Sequence, residues 1–254
     1  MEDFVHLHVH TQYSLLDGQA SIPRLVDKAI SDGMRGMAVT DHGNMFGIKD
    51  FFDYCAKVNG KRKKEGLEPF KPIFGCEMYV ARRGDKALRE IKQDQSGWHL
   101  VVLAKNETGY RNLVRLVSRS WVDGYYMRPR TDRVELEKYH EGLIVCSACV
   151  AGEVPRKIIQ GKLDEAEEAI QWYKRVFGDD FYLELQRHKA TVARANHEAY
   201  DLQQVANAKL IEYSKQFNVK LVCTNDVHFV DEENAEAHDR LICLSTGKDL
   251  DDPK

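Results

Sequence analysis

Three histidines alternate with apolar residues near the start of the chain, at positions 6, 8 and 10 of the run FVHLHVHT. On an extended strand, residues two apart point to the same side, so His6, His8 and His10 are predicted to share one face. Imidazole is the commonest protein ligand for transition metals, and packing alone gives little reason for three of them on one face. The pattern therefore predicts one wall of a metal site.

Other metal-ligating residue types stand at the ends of further short apolar runs. They are Asp41 and His42 after the run 36–40, Glu77 directly after 72–76, His99 at the start of 98–104, Cys149 after 142–148, and Asp226 and His228 after 219–224. Each has a plain alternative explanation, such as a helix cap, a surface carboxylate or a buried thiol. Parallel strands present their carboxyl ends at one edge, so the repeated placement predicts a shared site there.

The mixture of ligands narrows the chemistry. Imidazole, carboxylate and one thiol suit Zn, Mn or Fe, whereas Mg and Ca prefer oxygen cages. Eight or nine ligands exceed the needs of one ion, so two or three ions with bridging carboxylates are expected. Such a centre activates water and holds the oxygens of a phosphoryl group in hydrolysis. The sequence has neither the GxxxxGK[ST] motif of a phosphate-binding loop nor the GxSxG motif of a serine nucleophile. Cys146-x-x-Cys149 lacks the second cysteine pair that a zinc ribbon needs.

The elements that must position these residues alternate along the chain. Short apolar runs at 4–10, 36–40, 73–80, 98–104, 142–148, 181–186 and 219–224 are predicted strands. Apolar residues at helical spacing form a stripe in each of the segments 22–30, 110–121, 163–177 and 202–217, which are therefore predicted helices. For the first helix, Ser21 is the predicted cap, Pro23 lies in the first turn and Gly33 ends the helix. This alternation predicts βαβ units and a parallel sheet, and we favour a closed barrel over an open sheet.

Composition excludes several classes of protein. The 254 residues are 43% hydrophobic and 30% charged, with no apolar stretch near the roughly 18 residues of a membrane span and no signal peptide. Net charge −3 argues against DNA binding by bulk positive charge. Six cysteines without a repeating frame are expected to be free thiols of a cytoplasmic protein. Basic stretches at 57–71 and 105–133 are either solvated faces or loops beside a phosphate-handling site.

Several motifs make the family recognisable. The run HLHVHTQYSLLDG at 6–18, TDHGN at 40–44, GCE at 75–77 and NDVH at 225–228 resemble the motifs of the PHP (polymerase and histidinol phosphatase) superfamily. The details SLLDG, GYRNL at 109–113 and RPR at 128–130 resemble one branch, the N-terminal PHP domain of bacterial replicative DNA polymerase III alpha subunits. The resemblance covers essentially the whole chain.

The resemblance implies nine metal positions and a fold. They carry over to His8, His10, Asp17, His42, Glu77, His99, Cys149, Asp226 and His228, of which Asp17 enters only through the resemblance. We expect a distorted (β/α)7 barrel over 1–254 with three divalent ions, Zn or Mn with Fe as an alternative, at the carboxyl mouth of the strands. His6 is expected to orient a ligand from outside the set, and His140, His188, His197 and His238 to be structural or solvent-exposed.

The implied activity is a metal-dependent phosphoesterase, a 3′–5′ exonuclease that proofreads DNA through metal-activated water. Candidate substrate contacts are Arg128, Arg130, Tyr13, Tyr125, Tyr126 and the basic run 61–64. Expected partners are a DNA 3′ end, the polymerase domains of a longer chain of which 1–254 would be the N-terminal part, and other replisome subunits, with no membrane. A histidinol-phosphate-type phosphatase and a non-catalytic scaffold stabilised by metal remain alternatives.

Overall fold

The structure is a computed structural model that describes residues 4–190 and 198–250. The helices of this part are α1 Ile22–Ser31, α2 Ile48–Lys64, α3 Glu107–Val122, α4 Arg133–Lys138, α5 Glu153–Ile159, α6 Leu163–Phe177, α7 Glu198–Phe217 and α8 Ala235–Thr246. Its strands are β1 Gly36–Val39, β2 Lys71–Ala81, β3 Gly97–Ala104, β4 Tyr125–Tyr126, β5 Arg128–Thr131, β6 Leu143–Cys146, β7 Phe181–Leu185 and β8 Lys220–Cys223. All the predicted helices are present, and the six predicted runs after the first match long or short strands.

The sheet curls into a ring that the first residues of the chain close. Strands β1, β2, β3, β6, β7 and β8 pair in that order. The N-terminal segment, residues 6–10, lies between the two ends of this series. Thr40 N donates to Val9 O at 2.9 Å on one side, and His10 N donates to Val227 O at 2.7 Å on the other. The prediction of a distorted seven-membered α/β barrel is confirmed.

Strand β3 departs from the predicted parallel sheet, because it runs antiparallel to both β2 and β6. Residues 82–96, between β2 and β3, contain only the short 3-10 helix Lys92–Gln95 instead of a crossover helix. A parallel partner would need a crossover connection, whereas a direct return gives an antiparallel pair. The reversal places the amino end of β3, which carries His99, at the mouth formed by the carboxyl ends of the other strands.

The N-terminal segment contains a bulge that changes which side chains face the mouth. Ala38 N donates to His6 O and Thr40 N donates to Val9 O, so two residues of β1 lie opposite three of the segment. An extra residue in one strand breaks the alternation of side chains. The expectation that His6 shares a face with His8 is therefore wrong: His6 lies beside α1, near Lys28.

Helices cover the outside of the ring. The largest apolar cluster joins β2, β3, β6 and β7 to α3, α6 and α7, and a second joins α1 and α2 to β1. In α1, Pro23 lies in the first turn as predicted, but the Ser21 side chain makes no capping hydrogen bond. In α3 the predicted apolar stripe is divided, because Leu113 and Val117 are buried while Trp121 is 40% exposed.

The cysteines and the helices were both considered in the sequence, and the structure describes each. All six cysteines are free thiols, and Cys146 is buried inside the ring. Among the described helices, none has both the length and the apolar character needed to cross a bilayer.

Candidate metal centre

All nine predicted ligands lie at one mouth of the ring. His8 and His10 come from the N-terminal segment, Asp17 from the loop after it, His42 from the loop after β1, Glu77 from β2, His99 from β3, Cys149 from the loop after β6, and Asp226 and His228 from the segment after β8. Side chains from distant parts of the sequence meet there because the carboxyl ends of the parallel strands and the amino end of β3 lie on the same side of the ring.

Glu77 lies at the centre of the group and is 1% exposed. Its Oε1 atom is 2.9 Å from His99 Nδ1 and 3.2 Å from His8 Nε2. The same oxygen is 3.9 Å from Cys149 Sγ, and Oε2 is 2.6 Å from His42 Nδ1. The two oxygens of this carboxylate thus face different sets of predicted ligands.

Asp226 forms the second centre of contacts. Its Oδ1 atom is 3.2 Å from both His8 Nε2 and His10 Nε2. The residue has a φ of 48°, in the left-handed region that few non-glycine residues adopt. Such strained backbone is held by its surroundings and is concentrated at functional sites.

Asp17 lies at the outer edge of the site. Its Oδ2 atom is 2.7 Å from His42 Nε2 and 3.4 Å from His228 Nε2. The carboxylate is 29% exposed, so this edge is open to solvent. The position that entered only through the family resemblance therefore lies with the other ligands.

The donor atoms form three overlapping groups, each with its ligand atoms within 4.8 Å of one another. They are His8, His10 and Asp226; His42, Glu77 and His99; and His10, His42 and His228. Five of these atoms are buried without a hydrogen bond: His8 Nε2, His10 Nε2, His42 Nδ1, Glu77 Oε2 and Asp226 Oδ1. Buried polar atoms without partners are uncommon, and five that converge on one place fit the coordination of divalent cations.

The charges at the site are strongly coupled. Burial alone would raise the pKa of Glu77, but the imidazoles of His99, His42 and His8 lower it well below its usual range. Burial opposes the charged form of His42 as well, yet the Glu77 carboxylate raises the His42 pKa to about 10. For His10, burial and two neighbouring imidazoles lower the pKa to about 3. The ionised Glu77 carboxylate thus has the protonated imidazole of His42 as a counter-charge, whereas His10 is neutral.

A buried carboxylate behind the site orients His8. Glu184 on β7 is 2% exposed, and its Oε1 atom is 2.7 Å from His8 Nδ1. Gln186 Nε2 and Ala148 N donate to the same carboxylate, and Thr224 Oγ1 contacts it too. A carboxylate that accepts from one ring nitrogen directs the other toward a metal. We did not identify Glu184 from the sequence, although a glutamate inside the apolar run FYLEL was a usable signal.

A second support acts on His10. The Ser14 hydroxyl donates to Asp41 Oδ1 at 2.7 Å and lies 2.9 Å from His10 Nδ1. Since Ser14 uses its proton on the carboxylate, it accepts from His10 Nδ1, which leaves Nε2 with a free lone pair toward Asp226. Asp41 also accepts from Thr11 N at 2.7 Å. The structure thus places Asp41 behind the ligands, where it fixes the loop that carries them.

His238 lies at the edge of the site, although the sequence favoured a structural or exposed position. This residue of α8 has its Nε2 atom 3.7 Å from Asp17 Oδ1, buried and without a hydrogen bond. Its ring is 5.5 Å from that of His228. His140 and His188 lie elsewhere, against Glu137 and Gln203. His197 lies outside the described residues.

The predicted substrate contacts differ in their surroundings. Arg128 is exposed beside the mouth, with its guanidinium 6.0 Å from the ring centre of Tyr79. Arg130 is 1% exposed, and each of its three side-chain nitrogens donates to a backbone carbonyl. Burial therefore removes Arg130 from the candidates and assigns it to the fold. Tyr13 donates its hydroxyl to Asp50 Oδ2 at 2.5 Å, which ties the loop to α2.

The other proposed contacts are also separated by the fold. The basic run 61–64 ends α2, about 20 Å along the helix from its start near the mouth. Those charges suit the carboxyl end of the helix dipole and not the site. Tyr126 lies under the Arg130 guanidinium, whereas Tyr125 is 47% exposed.

The fold is an α/β barrel, and its mouth carries imidazole, carboxylate and thiol groups of the kinds that bind transition metals. These two features define the class of the domain. The chain belongs to the PHP domain family, whose model matches residues 6–188. It is 44% identical over 96% of its length to the DNA polymerase III subunit alpha of Borreliella burgdorferi, and 42% identical over 98% to that of Treponema pallidum. The Thermus aquaticus subunit is 38% identical over 99% of the chain. The chain spans about 20% of the length of these relatives.

Two solved structures show more distant likeness. A candidate metal-dependent phosphoesterase from Bifidobacterium adolescentis has a TM-score of 0.49 at 13% identity, covering 95% of this chain and 97% of its own. Histidinol phosphate phosphatase from Lactococcus lactis, in complex with Zn, L-histidinol and phosphate, has a TM-score of 0.41 at 14% identity, covering 96% and 94%.

Proposed function

We propose that this domain is a metal-dependent 3′–5′ exonuclease that hydrolyses the terminal phosphodiester of DNA and proofreads within a DNA polymerase III alpha chain. The observation that carries the proposal is that the nine predicted ligands lie together around Glu77 and Asp226, with five of their buried nitrogen and oxygen atoms making no hydrogen bond. The likeness over nearly the full chain to DNA polymerase III alpha subunits supports the DNA substrate.

Three divalent ions, Zn or Mn with Fe as an alternative, would be held by different sets of these residues. His8, His10 and Asp226 would hold one ion, and Glu77 with His99 and Cys149 would hold a second. Asp17 with His42 and His228 would hold the third, which we call the outer position because Asp17 is next to solvent. Bound cations in such a site supply an activated water and charge stabilisation for the phosphate oxygens.

The protein itself supplies orientation. Glu184 and Ser14 direct the Nε2 atoms of His8 and His10 into the site, so these two rings are already oriented for a cation. The open edge at Asp17 gives the substrate phosphate access from solvent, while Arg128 provides positive charge beside it. In the longer chain, the remaining polymerase domains and other replisome subunits would deliver the 3′ end in the cytoplasm.

The test is the substitution Asp226→Asn, with exposed Asp179→Asn as matched control. Loss of one anionic ligand should lower the rate on a single-stranded 3′ end by roughly 10³-fold or more, with Mn or Zn present. The far-ultraviolet circular dichroism should remain that of the parent, because the apolar faces of the strands form the core. Parent-like nuclease activity in Asp226→Asn would assign the activity to a contaminant and favour the scaffold alternative.

A second substrate distinguishes the exonuclease proposal from the phosphatase alternative. Release of phosphate from histidinol phosphate, without release of nucleotides from single-stranded DNA, would replace the exonuclease proposal with a small-molecule phosphatase.

A further inference from the structure

Three exposed aromatic rings form a row on one side of the mouth. The ring centres of Phe46 and Trp121 are 5.8 Å apart, and those of Trp121 and Tyr125 are 5.5 Å apart with planes at 19°. The three side chains are 55%, 40% and 47% exposed, respectively. We call these residues the aromatic row. Trp121 is thus exposed, although its spacing in α3 predicted a place in the buried stripe of that helix.

The aromatic row is attached to a loop that carries a proposed metal ligand. Trp121 Nε1 donates to Gly43 O at 2.8 Å, and Gly43 directly follows His42. Gly43 has a φ of 62°, and a Cβ there would lie 2.7 Å from Pro129 Cγ. Absence of a side chain therefore lets the β4–β5 hairpin lie directly on this loop, with Tyr125 paired to Pro129 in the hairpin.

Positive charge also lies close to the predicted ligand His42. The Arg128 guanidinium is 6.0 Å from the Tyr79 ring centre, and that ring stacks at 6.0 Å on His42. Among the described residues, no carboxylate lies within 4 Å of Arg128. The stretch 105–133, which supplies Arg128 and two of the rings, has seven basic and three acidic residues. An anion that carries flat apolar groups matches this combination of charge and rings.

We propose that the aromatic row is a stacking subsite for the bases of a single-stranded nucleic acid whose terminal phosphate lies at the metal mouth. Every base has a face that stacks on an aromatic ring, so such a row binds a strand with little sequence preference. Arg128 contacts the backbone phosphate between the stacked base and the mouth. This proposal rests on the proposed exonuclease function and makes it specific for a polynucleotide over a small phosphate ester.

The experiment measures binding in the absence of metal, so that hydrolysis does not interfere. Anisotropy of a 5′-labelled oligothymidylate gives the Kd for the parent, Tyr125→Ala, Tyr125→Phe and Phe46→Ala. Tyr125→Ala and Phe46→Ala should each raise the Kd roughly 5- to 100-fold, as expected for loss of one stacked base. Tyr125→Phe keeps the ring and should bind like the parent. Phe52→Ala, which removes a ring 52% exposed outside the row, is the matched control.

A second measurement uses metal-loaded protein and bis(p-nitrophenyl) phosphate, a small diester without nucleobases. Its hydrolysis should be the same in the parent and in the ring variants, while oligonucleotide KM rises. Unchanged Kd in both alanine variants would overturn the subsite and assign the row to contact with another protein domain, whatever the nuclease result. Weakened binding with no nuclease activity under any metal would leave the subsite standing and refute the exonuclease proposal.

Discussion

The Nδ1 atom of His8 lies 2.7 Å from Glu184 Oε1, and both side chains are buried. This contact fixes the ring so that Nε2 faces Glu77 and Asp226, each at 3.2 Å. The imidazole of His8 therefore has the buried Glu77 and the partly exposed Asp226 on one side and the buried Glu184 behind it. A buried group with so many anionic neighbours would destabilise the fold unless protons or cations balanced the charge.

Glu184→Gln should weaken metal binding without unfolding the protein. The amide keeps the volume but loses the negative charge that holds His8 Nδ1–H, so affinity should fall about 10- to 100-fold. Competition with a chromophoric chelator measures the affinity, and circular dichroism checks the fold. Glu212→Gln, on the exposed side of α7, is the matched control. Equal affinities for all three proteins would show that Glu184 serves only packing.

His238→Ala should weaken the outer metal position selectively. The Asp17 carboxylate has Oδ2 near His42 and Oδ1 facing His238 at 3.7 Å, so the histidine limits its rotation. Mass spectrometry of metal content should show loss of one ion per chain, with His238→Gln partly restoring it. His140→Ala is the control, because His140 lies against Glu137. Three ions retained in His238→Ala would contradict this role.

Metal binding should release protons near neutral pH. The pKa of His42 is raised to about 10 in the metal-free fold, above the value of about 6.5 for an unfolded histidine. The protonated ring thus stabilises the metal-free fold fully below about pH 6.5, and this contribution is lost as pH rises through about 10. A cation must displace that proton, so affinity should rise with pH over the same window.

Calorimetric titration at pH 8 in two buffers with different ionisation enthalpies measures the proton release. At least about one proton per centre is expected, because the pKa of His8 is also raised, by Asp226 and Glu184. Identical heats in the two buffers would mean that His42 and His8 are already deprotonated before the metal binds, which would contradict the prediction.

Cys149 and Cys146 should react unequally with alkylating reagents after metal removal. Cys149 Sγ faces the site, 3.6 Å from His99 Nδ1, whereas Cys146 is 2% exposed inside the ring. Burial and nearby carboxylates raise the pKa of Cys149, so the reaction needs alkaline pH. Peptide mapping should find Cys149 labelled only in chelated protein and Cys146 in neither form. Exposed Cys223 should label in both and serves as internal control; equal labelling of Cys146 would refute the assignment.

The sequence predicted most of the ring and most of its mouth, because apolar runs and polar strand ends are local patterns. It failed where a single inserted residue or a reversed strand decided the result. The bulge between His6 and Val9 removed His6 from the site, and no local pattern marks it. The position of His99 at the head of its run made sense only once β3 was seen to run backward.

Other features depended on tertiary contacts. Arg130 and Arg128 are two residues apart in one motif, yet backbone carbonyls from residues 86, 88 and 124 bury the first and leave the second exposed. Asp17 was found through the family resemblance alone, since its loop shows no strand-end pattern. Trp121 followed the periodicity of a buried stripe, but periodicity cannot tell whether a neighbour covers the face.

The closure of the ring by residues 6–10 also constrains synthesis on the ribosome. Val9 and His10 pair with a segment around Val227, so most of this domain is synthesised between the two edges that complete the barrel. Until residue 228 emerges, the nascent chain presents two unpaired edges and a set of carboxylates lacking His228. Pairings of such long sequence separation form slowly and expose aggregation-prone edges meanwhile. Early protection of residues 6–10 by a chaperone should therefore raise the yield of folded protein.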